Sequence, residues 1–127
     1  PFIGVKGIDS LARKIAGLGN GDPRFARLFL GHVVRMQEEI GTGGGGFRFM
    51  YAAFLQEAGR LLGSAPLAEA SQMMTEAGDR WRLFALACAR VCKGKTAAID
   101  AAQIAGLLRQ CAVQERLVYR RLEALAP

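Results

Sequence analysis

The sequence has one histidine, an odd number of cysteines, no long apolar run and no stretch of alternating apolar and polar residues. Without period-two alternation no sheet is expected, beyond a short extended start at Ile3 to Val5. The longest apolar run, Leu83 to Ala89, is bracketed by Arg82 and Arg90 and falls far short of bilayer length. No basic segment precedes the apolar residues at the start, so no signal peptide is visible. The chain begins at Pro1 without an initiator methionine, which favours a fragment of a larger protein. Cys88, Cys92 and Cys111 all lie inside helical patterns among Ala, Val and Leu, the placement of buried, reduced thiols in a cytoplasmic protein. Cys88 and Cys92 are one turn apart. Their β-carbons would be about 5–6 Å apart, beyond the ~3.8 Å of a disulfide. A Cys-x₃-Cys on a helix lacks the close loop pairs of zinc sites, so neither metal nor cofactor is expected.

Charge is present but dispersed. Seventeen Lys and Arg against 11 Asp and Glu give a net +6, a balance that suits nucleic acid, anionic lipid or an acidic protein. The densest basic group, Arg116, Arg120 and Arg121, sits where helices carry cations to offset their dipole. No nucleic-acid-reading motif accompanies it, so neither nucleic acid nor membrane is the expected partner.

The residues that are present predict an all-α fold, an antiparallel bundle of about five helices forming one domain over residues 1–127. Asp9 is placed to cap a short first helix with Leu11, Ile15 and Leu18 inward, broken by the glycines after Ala16. Asp22-Pro23 restarts the chain as an N-cap followed by proline. Phe25, Leu28, Phe29, His32, Val33, Met36 and Ile40 then share a stripe, ended by Gly41 to Gly46. The third stripe is the cleanest: Phe47, Met50, Tyr51, Phe54, Leu55, Ala58, Leu61 and Leu62, closed by Gly63. Pro66 opens a fourth helix with Ala70, Met73, Met74, Ala77, Trp81, Phe84, Ala85, Cys88 and Cys92 inward. Gly78 is a gap that would let another helix approach closely. The last helix, capped by Thr96 or Asp100, repeats Ile104, Leu108, Cys111, Glu115, Val118, Leu122 and Leu125 in four-three alternation, the seam of a bundle.

Few residues point to chemistry. His32 falls on an apolar stripe, where it is expected as a buried polar residue. Glu115 occupies a seam position and needs a partner, which His32 or an inward-turning arginine would supply. A His–Glu acid–base pair is the alternative, but no nucleophile accompanies it. The glycine run before Phe47-Arg48 has two readings. Gly43, Gly44, Gly45 and Gly46 with Arg48 can form a substrate-binding surface, backbone N–H groups and a guanidinium holding a phosphate or carboxylate. Otherwise the glycines are a flexible connector. No P-loop is present, since neither a preceding strand nor a Lys-Ser or Lys-Thr is found.

The block Gly43-Gly44-Gly45-Gly46-Phe47-Arg48-Phe49-Met50-Tyr51-Ala52-Ala53-Phe54-Leu55-Gln56-Glu57-Ala58 resembles the signature of a helical domain of unassigned function. That domain follows a papain-like N-terminal domain in proteins similar to butirosin biosynthesis protein H. Glu76-Ala77-Gly78-Asp79-Arg80-Trp81, Gln114-Glu115-Arg116-Leu117 and Gly4-Val5-Lys6-Gly7-Ile8 are similar to its other recurring blocks. The resemblance implies an acyltransferase setting in natural-product biosynthesis, with acyl transfer from a carrier protein to an amine. The catalytic cysteine and histidine would lie in the N-terminal domain, and no catalytic residue is expected in this chain. The implied partners are that papain-like domain and an acyl carrier protein. A stand-alone module, a homodimer formed through the last two helices, is the alternative; a basic nucleic-acid-binding regulator is a third.

Overall fold

A computed structural model of the protein describes residues 3–39, 44–94 and 99–125, all in helices, turns and short connections with no strand among them. Five α-helices follow in order: α1 (Ile3–Ala16), α2 (Pro23–Val34), α3 (Arg48–Leu62), α4 (Ala65–Cys92) and α5 (Ala101–Leu125). Short turns link them: a 3₁₀ turn at Gly17–Asn20, a π-helical turn at Arg35–Glu39 and a 3₁₀ turn at Gly45–Phe47. Ile40 to Gly43 and Thr96 lie outside the described residues, and with them part of the glycine run and one candidate cap.

The boundaries follow from local chemistry. Asp22 accepts from the Arg24 N–H at 2.9 Å, with Pro23 in the first turn of α2. Gly63 adopts the left-handed conformation (φ 62°) that ends α3, and Ser64 caps α4 by accepting from Leu67 N. Asp100 caps α5 through the Gln103 N–H at 3.0 Å.

α4 and α5 form the antiparallel spine. Three contacts run in reverse order along them: Arg121 with Glu69, Gln114 with the Met73 carbonyl, and Arg80 with Gln110. One core cluster joins α1 and α2 to the C-terminal half of α4 and the N-terminal half of α5, through Val5, Ile15, Leu30, Phe84, Cys88, Ile104 and Leu108. A second joins α3 to the other halves, through Ala52, Leu55, Ala70, Met74, Ala77 and Val118.

Five expectations are corrected. The chain is helical from Ile3, not extended, because Val5, Ile8, Ala12 and Ile15 recur at helical spacing and are buried in the first cluster. Asp9 therefore caps nothing; its carboxylate, mid-helix, accepts from Arg116 of α5. Next, α2 and α3 do not bury their large apolar stripes. α2 buries Ala26 and Leu30, leaving Phe25, Leu28, His32 and Met36 exposed. α3 buries Ala52, Leu55 and Gly59, while Phe47, Met50, Tyr51, Phe54, Leu61 and Leu62 face outward. Small residues on the inner face let each helix lie close to α4. Gly59 presses on the Ser64 carbonyl and Ala68 N–H, and Gly31 on Cys92, where a methyl group would stand 2.8 Å from Sγ. His32 consequently points away from the core and is not a buried polar residue. Cys92, the last residue of α4, is exposed, whereas Cys88 and Cys111 are buried.

Candidate functional site

The most specific sequence block folds into a left-handed turn. Gly44 (φ 82°), Gly45 (φ 59°), Gly46 (φ 56°) and Phe47 (φ 69°) lie successively at positive φ. Each such residue with a Cβ costs roughly 1–2 kcal/mol, so glycines fill three places and the strain falls on Phe47. The turn is a shaped element, unlike a bare connector.

Three sets of contacts hold it. Glu38, from the π-helical turn, accepts from the Gly45 N–H at 3.2 Å and from Gln37 at 3.0 Å. Gln37 is itself buried and donates to the Trp81 carbonyl of α4 at 2.8 Å. The Phe49 ring is clasped between two glycines, where a Cβ at Gly45 or Gly78 would stand 2.9 or 2.6 Å from it. The gap at Gly78 thus admits an aromatic ring rather than a helix backbone.

Arg48 binds the turn to the spine. Its Nη1 donates to the Gly46 carbonyl at 2.7 Å, and its Nε donates to Glu115 Oε1 at 2.5 Å. The guanidinium carbon lies 4.3 Å from the centroid of the Trp81 ring, within cation–π range. The Glu115 side chain is 2% exposed and that of Arg48 24%, so the pair is shielded from water. Arg48, and not His32, is the partner Glu115 needs. An external anion at the glycine turn would have to compete with Glu115 for this guanidinium. Gly43 lies outside the described residues.

The carboxylate's field is felt nearby. Burial, then the Glu115 charge, pushes the Cys111 thiol up to about 12, with Arg48 and Arg80 opposing. Burial and the same charge raise Tyr119. Cys88 is pushed up to about 12 by burial and by Cys92. Buried, protonated thiols are poor nucleophiles.

Two further features had no sequence signal. The π-helical turn that delivers Gln37 and Glu38 has no composition of its own. The outward placement of the α3 stripe is opposite to what its periodicity predicts. Phe54 is 62% exposed and packs on Tyr51, their centroids 5.9 Å apart. The resulting face, Phe47, Met50, Tyr51, Phe54 and Leu61, is a row of large apolar side chains along one helix. Basic residues near the end of α5 are partly neutralised, Arg116 by Asp9 and Arg121 by Glu69 at 2.6 Å. No group of three His, Cys, Asp or Glu able to hold a metal occurs among the described residues. No helix among them is long and apolar enough to cross a membrane.

A family model described as "Domain of unknown function (DUF4872)" matches residues 1–122. No curated protein and no solved structure matches the chain.

Proposed function

Since the chain belongs to the family of the domain of unknown function DUF4872, we propose that it is a helical accessory domain, the C-terminal part of a butirosin biosynthesis protein H-like acyltransferase in the cytoplasm. It docks through the outer face of α3 and the left-handed turn onto a papain-like N-terminal domain of the same chain, which carries the catalytic cysteine and histidine. The reaction of the whole is acyl transfer from a carrier protein to an amine.

The observation that carries this reading is the α3 face. A helix that turns Ala52, Leu55 and Gly59 inward and six large apolar side chains outward has a second surface suited to another protein body. The strained Phe47 belongs to that surface, its ring held outward by the turn that Arg48, Glu38 and Phe49 build behind it. Its support is geometric, since no activated nucleophile is found among the described residues. In the full-length protein, M50S/F54S should lower acyl transfer at least tenfold and open the domain junction to limited proteolysis. Unchanged transfer and unchanged cleavage would refute the docking role.

The alternative module, dimerising through the last two helices, draws on Val113 and Leu117 of α5 and Leu83 and Leu86 of α4, all exposed. Sedimentation equilibrium distinguishes it: a dimer broken by V113S/L117S and untouched by M50S/F54S would favour it.

A further inference from the structure

A groove of about 580 Å³ is lined by residues of α2, of the π-helical turn and of the C-terminal end of α4. Its apolar lining is Leu28, Val34 and Ala89, and within the same lining Gly31 packs closely on Cys92. Its rim is basic: Arg27, Arg35 and Lys93, with His32 beside them. Of these, Arg35 pairs with Glu39 at 3.6 Å, the one acid in the lining. Arg27 and Lys93 have no ion-pair partner among the described residues. Among the described lining residues, three Arg and Lys side chains against one carboxylate leave a formal surplus of two positive charges around an apolar floor. A second groove of about 570 Å³ shares Arg27 and Leu28 and is also lined by Asp22, Arg24 and Phe25.

We infer that this groove binds an amphipathic anion, a small molecule whose phosphate or carboxylate is held by Arg27 and Lys93 and whose apolar body lies on Leu28, Val34 and Ala89. The volume lies within the range of small-molecule sites, and an apolar lining with a few convergent charged groups is their usual chemistry. Arginine grips such an oxyanion with two N–H groups, while lysine adds a point charge. Leu28 is 75% exposed, a large apolar side chain that the core does not bury. The inference is independent of the acyltransferase reading, since it uses no residue of the α3 face or of the glycine turn.

Cys92 makes the test direct, because its exposed thiol forms part of the lining while Cys88 and Cys111 are buried. Its alkylation by neutral iodoacetamide would be timed with octyl phosphate, octanol, inorganic phosphate and phosphatidylglycerol vesicles. Octyl phosphate should slow the reaction at least fivefold at saturation, well beyond either octanol or phosphate alone. R27Q/K93Q should remove that protection, measured against the variant's own unprotected alkylation rate, while circular dichroism stays as in the parent. Equal protection by octanol would reduce the groove to a greasy patch. Protection by vesicles without protection by octyl phosphate would make it a membrane-facing surface. No protection, or protection that survives R27Q/K93Q, would also overturn the inference.

Discussion

Arg48 reaches back to the carbonyl of its own turn and across to a carboxylate on another helix, and the second reach carries more of the stability. Glu115 is 1% exposed, so removing the guanidinium would leave a buried charge with no cationic partner. Breaking such a pair from one side typically costs about 3–5 kcal/mol, whereas replacing both members with apolar residues is often neutral or stabilising. Arg48→Ala should therefore cost on the order of 3–5 kcal/mol in denaturant unfolding, and R48M/E115L much less. A small loss in the single variant would show the pair to be dispensable and free Arg48 for an outside ligand. Phe47 makes the complementary test. Phe47→Gly removes a ring that is 53% exposed and a Cβ held at φ 69°, so stability should stay level or rise by about 1 kcal/mol. On the reading of α3 as a docking face, the same variant should weaken domain docking.

At the scale of elements, the sequence and the structure agree where large residues face the spine and part where small ones do. On α4 and α5 the inward residues are Trp81, Phe84, Cys88, Ile104, Leu108 and Val118, and hydrophobic periodicity found them directly. Glu115 was legible too, as a charge on a seam that must find a partner. On α2 and α3 periodicity found Leu55, and in part Phe29 and Val33, but missed the rest of the buried side, Ala26 and Leu30 on α2 and Ala52 and Gly59 on α3. Periodicity weighs side-chain size, while close packing against α4 rewards its absence. Arg48's inward direction was not legible, since it depends on Gly46 leaving room: a Cβ there would collide with the arginine's own Nη1. The distinction is measurable on α3 alone. Leu55→Ala should cost about 2–5 kcal/mol, and Phe54→Ser one residue earlier within about 0.5 kcal/mol of nothing. Similar losses at both positions would return the outer stripe to the core. Gly78→Ala sets its methyl 2.6 Å from the Phe49 ring, and overpacking of that kind costs about 1–3 kcal/mol.

The whole molecule responds to pH through groups that the core keeps neutral. Cys88 and Cys111 are both raised from an ordinary value of 9.0 to about 12, mainly by burial, and Tyr119 is raised in the same direction. An acid raised in the folded state retains its proton there after the unfolded chain has lost it. The unfolded state then binds fewer protons, and stability falls with rising pH. The contribution is complete below about pH 9 and is lost as the pH climbs toward 12. Each thiol should remove about 1.4 kcal/mol per pH unit in that window, or about 3 kcal/mol per unit for the two together. The two thiols sit on opposite helices of the spine, Cys88 on α4 and Cys111 on α5, within the same core cluster. Urea unfolding at pH 8, 9, 10 and 11 reads the slope. Cys111→Ala carries its own packing loss at every pH, so only its slope matters, and that should be shallower by about 1.4 kcal/mol per unit. A variant whose stability runs parallel to the parent across the range would mean that water reaches Cys111 and that the spine is looser than its packing implies.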